Sequence, residues 1–217
     1  MCLDDAKKNK QGSKQNLENV QRKSQEKWQQ FYQKTLSRPH HTRTELAANT
    51  DNRSIKVAID CGCGSGADMA YLVDQGYQVI GFDINREAIE ICQTRFEYEP
   101  WVKVYESSFE DFNYPMASLI IANASLFFAK PDEFYLTWLK LTGSLEKGGV
   151  FAGDLLGLND DWARAHSMPI TALSKSQVFM LFEDFDVIEF HERDEIGSTQ
   201  LGKKKHWHTY SVIAIKK

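Results

Sequence analysis

Short apolar runs alternate with segments of helical periodicity along most of this chain. The apolar runs predict strands at 55–60, 77–83, 101–106, 118–123 and 149–155. Parallel strands need long crossover connections, which are usually helices, so the alternation predicts an α/β fold with a mostly parallel sheet and helices on both faces. The run 118–123 is wholly apolar, as a central strand buried on both faces requires.

The two ends of the chain depart from this alternation. Two further strands, 185–194 and 206–215, are predicted to form a hairpin at the edge of the sheet. Residues 1–25 are rich in Lys, Gln, Asn and Glu and contain few large apolar groups, so we expect a disordered polar tail. Residues 26–50 show helical spacing of apolar positions, and the main domain is expected to cover 51–217.

A glycine-rich turn follows the first strand. The strand ends at Asp60, then Gly62, Gly64 and Gly66 alternate with small residues, and the second strand ends at Asp83. A tight turn pressed against a ligand needs residues without a β-carbon, and the next helix directs free N–H groups at that ligand. An ionised carboxylate such as Asp83 can accept both hydrogen bonds from a ribose diol. This layout predicts a nucleoside-cofactor site at the carboxyl edge of the sheet.

The glycine spacing by itself does not distinguish an NAD site from an S-adenosylmethionine site. The run from Gly62 to Ala67 also fits the spacing of NAD sites. Asp60, just ahead of the first glycine, favours S-adenosylmethionine, because it can accept from an α-ammonium group and would repel a pyrophosphate. An NAD-dependent oxidoreductase and a non-catalytic cofactor-binding protein stay as alternatives.

The segment 60–66 resembles the acid-x-Gly-x-Gly-x-Gly signature of the class I S-adenosylmethionine-dependent methyltransferases. The segments 107–110, 119–125 and 145–151 are similar, in order, to their adenine-binding segment, fourth strand and helix-turn-strand block. Ser125–Phe128, Phe151–Gly157, Asp160–Trp162 and Lys205–His208 narrow the resemblance to a small bacterial subgroup related to the tellurite-resistance type. One departure is Ser108, which stands where the family often has Asp.

The resemblance implies a Rossmann-like, seven-stranded sheet of order 3-2-1-4-5-7-6 with one antiparallel strand from the edge hairpin. It implies a helical lid at 26–50 and methyl transfer from S-adenosylmethionine to a small molecule by in-line displacement, with S-adenosylhomocysteine as product. The cofactor-binding residues would be Asp60, Gly62, Cys63, Gly64, Gly66, Asp83, Ile84, Ser108, Phe109 and Asn123.

The candidate acceptor residues follow strand ends on the same edge. Asp154 and His206 are the candidate catalytic residues, with a loop cap and a surface strand position as their respective alternatives. Tyr32, Arg38, Ser125, Phe127 and Trp207 are the candidate substrate-binding residues. The turn Lys203–Lys205 is expected to be solvated.

Composition limits the remaining possibilities. A chain of 217 residues fits one domain of this class, and its net charge of −4 argues against a broad nucleic-acid surface. The four cysteines (2, 61, 63 and 92) lack zinc-ligand spacing, so we expect no metal and a reduced, cytoplasmic location. No apolar run suits a signal peptide or membrane span. A monomer or weak dimer is expected.

Overall fold

The computed structural model describes residues 26, 28–32, 34–165 and 169–217; the predicted tail at 1–25 lies outside this range. An N-terminal helix, α1, includes residues 28–32, 34 and 35. The other helices are α2 (Thr42–Thr50), α3 (Ala67–Asp74), α4 (Arg86–Arg95), α5 (Phe134–Ser144), α6 (Asp161–Ala165) and α7 (Lys175–Leu181), with a 3-10 turn, η1, at Leu126–Phe128. The strands are β1 (Val57–Cys61), β2 (Gln78–Asp83), β3 (Val102–Glu106), β4 (Ala117–Ala122), β5 (Leu145–Gly157), β6 (Ala172–Leu173), β7 (Phe185–Ser198) and β8 (Lys204–Lys216).

The sheet has the order β3-β2-β1-β4-β5-β8-β7. Strands β1 to β5 run parallel, whereas β8 is antiparallel to both β5 and β7. The predicted order 3-2-1-4-5-7-6 is confirmed, because the short additional strand β6 only raises the numbers of the last two strands by one. Strand β6 lies in a predicted loop and pairs with the end of β5, and its two residues are too few to give a periodic signal.

The largest departures from the predicted strand boundaries concern β5, β7 and β8. Strand β5 begins at Leu145, directly after α5, rather than near 149. Its pairing with β4 shifts register between Ala117 and Leu119, so Gly148 and Gly149 lie within a bulged strand and do not end a helix. Strands β7 and β8 both run past the predicted hairpin at 185–194 and 206–215, because they continue to pair with each other beyond the end of β5.

The core divides into two layers on either face of the sheet. Ile59 and Ile120 contribute to one buried cluster, and Leu119 and Ile121 contribute to the other. Successive side chains of a strand point to opposite faces, so these central strands must be apolar throughout. The polar residues that follow the parallel strands consequently gather at one edge. Within the described ranges, no helix has both the length and the apolar character of a membrane span.

Candidate active site

The turn after β1 depends on its glycines. Gly62, Gly64 and Gly66 have φ values of 75°, 52° and 76°, in the left-handed region that side chains with a β-carbon avoid. A β-carbon at Gly62 would lie 2.6 Å from the Ser125 β-carbon, and one at Gly66 would lie 2.8 Å from the Phe96 ring. The turn is thus held closely between β4 and α4, and no larger residue fits at these two positions.

Asp83 closes the turn from the end of β2. Its Oδ2 accepts a hydrogen bond from the Gly64 N–H at 3.0 Å, and its Oδ1 accepts from the Asn85 N–H at 2.9 Å. Burial raises the pKa of Asp83, although these backbone hydrogen bonds act in the opposite direction. The carboxylate therefore lies beside the glycine turn, as a contact to a nucleoside ribose would require.

Asp60 is a buried carboxylate without a compensating donor. Its residue is 3% exposed, and in the described part of the chain no group donates a hydrogen bond to its side chain. Burial first, and then the nearby negative charges of Asp68 and Asp83, raise its pKa well above the usual range. A cationic group bound next to the turn would relieve this electrostatic cost.

Asp68 is a site residue that the sequence did not reveal. Its Oδ1 accepts from the His41 N–H at 2.8 Å and the Thr44 hydroxyl at 2.7 Å, and its Oδ2 accepts from the Asn123 amide at 3.1 Å. Asn123 also donates to the Thr44 hydroxyl at 2.8 Å. In the sequence Asp68 resembles any acid in the first turn of a helix, which is a common stabilising position. Its role in joining α2, α3 and β4 depends on contacts distant in sequence.

The N-terminal helix lies over the glycine turn. Tyr32 is 2% exposed, and a β-carbon built on Gly64 would lie 3.7 Å from its ring. Burial, followed by the charge of Asp83, raises the pKa of Tyr32. Trp28 stacks on Tyr32 with ring centres 5.9 Å apart. Arg38 is half-buried, and its charge adds to the burial that lowers the pKa of His41.

Asp154 and Ser125 meet at the carboxyl ends of β4 and β5. Asp154 Oδ1 lies 2.6 Å from Arg43 Nη1 and accepts from the Ser211 hydroxyl at 2.6 Å, and Oδ2 accepts from the Ala124 N–H at 2.8 Å. The Ser125 hydroxyl donates to a carbonyl at the end of β1. Asp154, Ser125 and Asn123 therefore gather near the glycine turn, and Arg43 joins them from α2.

His206 and Trp207 belong to a different set of contacts. His206 Nε2 lies 2.5 Å from the Asp194 carboxylate of β7, and its backbone N–H donates to Asp161. The Trp207 ring lies edge-on to Trp162, with centres 5.3 Å apart. These residues engage α6 and the extended hairpin, whereas Asp154 engages α2 and β4.

The expectation of a solvated Lys203–Lys205 turn is wrong for Lys205. This side chain is buried, pairs with the fully buried Asp160 at 2.5 Å, and lies 3.6 Å and 3.8 Å from the ring centres of Trp162 and Trp207. A long side chain can cross apolar surface to reach a partner. Because that partner is 45 residues away, nothing local distinguishes Lys205 from its neighbours.

The remaining predicted contacts flank the turn. Ile84 is 74% exposed beside Asp83, so its side chain is free to cover a ligand face. Phe109 is buried edge-on to Phe82 with centres 5.3 Å apart, and the Ser108 hydroxyl donates to Asp111. Phe127 is buried, and its ring centre lies 6.1 Å from that of Trp162. Among the described residues, no cluster of His, Cys, Asp and Glu suits a metal ion.

Comparison with known protein families supports the methyltransferase interpretation. Residues 58–149 match a family model described as a methyltransferase domain. Carboxy-S-adenosyl-L-methionine synthases from Vibrio cholerae and Vibrio vulnificus are 28% and 26% identical over 98 residues. The matched region is 42% of this chain and 40% of each relative, so the chain corresponds to less than half of their length.

Solved structures share the fold at lower identity. TehB from Haemophilus influenzae superposes with a TM-score of 0.69 and 17% identity, covering 82% of this chain and 63% of TehB. The 1,6-didemethyltoxoflavin-N1-methyltransferase of Burkholderia thailandensis superposes with a TM-score of 0.61 and 15% identity. The superposition covers 82% of this chain and 77% of that enzyme. NodS from Bradyrhizobium japonicum, an N-methyltransferase solved with S-adenosylhomocysteine, superposes with a TM-score of 0.62 and 14% identity. The superposition covers 81% of this chain and 85% of NodS.

Residues 58–149 match a methyltransferase domain, and the sheet order and glycine turn are those that the resemblance to class I S-adenosylmethionine-dependent methyltransferases implied. The TehB type is among its structural neighbours, as the tellurite-type resemblance implied. The residues of the site fit the cofactor: a glycine cradle lies beside two buried carboxylates, one of which lacks a donor. The residues present are therefore compatible with S-adenosylmethionine, and the roles assigned to individual residues stay predictions.

Proposed function

We propose that this protein transfers the methyl group of S-adenosylmethionine to a small-molecule acceptor. The observation that carries the proposal is the Asp60 carboxylate, which is buried beside the glycine turn without a donor among the described residues. The cofactor would supply an α-ammonium group as the missing partner. A pyrophosphate there would add a negative charge to a site that already holds three carboxylates, those of Asp60, Asp68 and Asp83.

The chain would act mainly by binding and orienting. The cofactor brings an activated methyl group with a good leaving group when it is bound. Asp60 would hold the ammonium group, Asp83 the ribose, and the glycine turn would allow close approach of the backbone. Orientation and exclusion of water can then supply much of the rate enhancement.

A small acceptor is supported by the covering of the site. Helix α2 crosses the sheet edge and is bound there through Thr44 to Asp68 and through Arg43 to Asp154. Tyr32 of α1 lies next to Gly64. We infer that residues 26–50 act as a lid over a compact cleft, which suits a metabolite better than a polymer.

Calorimetry tests the cofactor assignment. Wild-type protein should bind S-adenosylhomocysteine and show no comparable affinity for NAD. Asp83→Ala removes a charged acceptor and should cost about 1.5–3 kcal/mol of binding, or roughly 10–150-fold. Asp74→Ala is the matched control, since Asp74 is exposed at the far end of α3. Equal affinities in the two variants, or preferential NAD binding, would refute the assignment.

A product assay tests the reaction. Protein incubated with S-adenosylmethionine and pooled metabolites should form S-adenosylhomocysteine only when an acceptor is present. Mass spectrometry of the cofactor that co-purifies would separate this activity from that of the relatives named carboxy-S-adenosyl-L-methionine synthases, which would leave a carboxylated cofactor. Tight binding without product in any pool would favour a non-catalytic binding protein.

A further inference from the structure

The contacts of Asp154 indicate a side chain that links neighbouring elements of the fold. Its carboxylate is buried and accepts two hydrogen bonds, from the Ser211 hydroxyl and the Ala124 N–H, at 2.6 and 2.8 Å. It also forms an ion pair with Arg43 Nη1 at 2.6 Å. An ionised carboxylate offers about four acceptor positions. If Asp154 took a proton from an acceptor molecule, that proton would compete for the same oxygens with the contacts that join α2, β4 and β8 to β5.

Ala124, whose N–H donates a hydrogen bond to Asp154, has a strained backbone conformation. Within the described ranges, Ala124 is the only residue other than glycine with φ in the left-handed region, at 51°. A β-carbon makes this conformation unfavourable, so it persists only when neighbouring contacts enforce it. The hydrogen bond to Asp154 is the contact that acts on Ala124 itself.

The residues on each side of Ala124 are held by other elements. The Asn123 amide donates to Thr44 of α2 and Asp68 of α3. The Ser125 hydroxyl donates to the Cys61 carbonyl of β1, and its β-carbon lies against Gly62. Each residue of the turn 123–125 thus has at least one anchoring contact, at the strand end that borders the glycine turn.

We propose that Asp154 is a positioning residue, which holds the strained turn 123–125 in the conformation that faces the transferred methyl group. This inference rests on the proposed function, since it needs a bound S-adenosylmethionine. It replaces the expectation that Asp154 is a general base. The acceptor must then be nucleophilic without proton removal by Asp154, as an uncharged nitrogen or a thiolate is.

The test uses S-adenosylmethionine carrying ¹³C in its methyl group, with the bound methyl resonance as the readout. Asp154→Ala should move this resonance, while affinity for S-adenosylhomocysteine, which lacks the methyl, changes less than about threefold. Adding Ala124→Gly should restore the resonance by at least half, because glycine adopts the left-handed conformation without the Asp154 contact. Ala124→Gly alone supplies the reference resonance.

Two further variants keep the test decisive if Asp154→Ala does not fold. Asp154→Asn retains one oxygen for the Ala124 N–H and should keep the methyl resonance near the wild-type position. Ser211→Ala removes a donor without touching that contact, and should also leave the resonance in place.

Turnover separates the two roles. With an acceptor from the product assay, a lost general base would depress Asp154→Ala, Asp154→Asn and the double variant alike, by about 100-fold or more. Positioning predicts at least tenfold recovery in the double variant and in Asp154→Asn. A methyl resonance unmoved in Asp154→Ala, or not restored by Ala124→Gly, would overturn the inference. Failure of wild-type protein to bind either cofactor form would instead refute the proposed function, and this inference with it.

Discussion

The glycine turn adjoins the proposed acceptor edge, which comprises Asn123, Ser125 and Asp154 together with Arg43, but the two regions are built differently. The turn comes from consecutive elements, β1, α3 and β2, and its geometry depends on left-handed glycines and two buried carboxylates. The acceptor edge comes from α2, β4, β5 and β8, which are far apart in sequence. It is held by contacts between them, such as the 2.6 Å approach of Arg43 to Asp154.

The two regions therefore differ in how well their chemistry can be predicted from sequence. A tight turn imposes its residue types locally, because φ values near +60° exclude most side chains. An ion pair between distant elements imposes no local pattern, since either partner resembles an ordinary surface charge. The cofactor class is therefore readable from a short segment, whereas the acceptor site depends on which segments the fold brings together.

The largest effect should come from the long-range contacts around the hairpin. Lys205→Met leaves the buried Asp160 without its cation and should lower the free energy of unfolding by about 3–5 kcal/mol, measured by urea denaturation. Lys204→Met is the matched control, because Lys204 is exposed one residue away, and should change it by less than about 0.5 kcal/mol. Similar values for both variants would mean that the Lys205–Asp160 pair does not stabilise this region.

The glycine turn should be sensitive for a steric reason. Gly62→Ala combines a left-handed alanine with a β-carbon 2.6 Å from that of Ser125, and should cost about 3 kcal/mol of unfolding free energy and most cofactor binding. Gly76 has a φ of 82°, but a β-carbon there would meet no atom within 4 Å, so Gly76→Ala should cost only about 1–2 kcal/mol. If Gly62→Ala were no worse than Gly76→Ala, the close approach of Ser125 would be unimportant.

Asp60, which we propose binds the cofactor ammonium group, should oppose folding. Its raised pKa means that ionisation is disfavoured in the folded state, so its charge reduces stability above the unfolded pKa of about 3.9. Asp60→Asn should raise the melting temperature of the cofactor-free protein at pH 7 by about 2–4 °C for each kcal/mol gained.

The stability gain of Asp60→Asn should vanish as the pH falls below about 4, where the carboxyl is protonated in both states. The same variant should bind S-adenosylhomocysteine about tenfold or more weakly, because a charged acceptor for the ammonium group is lost. Thermal scans across pH together with calorimetry measure both effects. A lower melting temperature at pH 7 would show that Asp60 stabilises the fold.

The smallest effect should come from His206. Its pair with Asp194 is partly exposed, and such pairs contribute about 1 kcal/mol or less. His206→Ala should therefore change the unfolding free energy by less than about 1 kcal/mol and S-adenosylhomocysteine affinity by less than about threefold. A loss comparable to that of Lys205→Met would place His206 among the residues that hold the hairpin.

The framework of the sheet and the glycine turn can be predicted from the sequence. The apolar alternation predicts the parallel strands, and the sheet order is confirmed. Asp60 and Asp83 lie beside the glycines as their spacing predicts, since a strand and the turn after it place their residues through local backbone geometry. The functional roles of these carboxylates stay predictions until binding is measured.

Polar contacts between distant segments, in contrast, are visible only in the folded molecule. Asp68 binds His41, Thr44 and Asn123, while Lys205 lies between two tryptophan rings rather than in water. Strand β6 exists because the end of β5 offers it a partner. In each case the stabilising partner lies far along the chain, and the energy of a buried polar contact depends on that partner and its burial rather than on neighbouring residues.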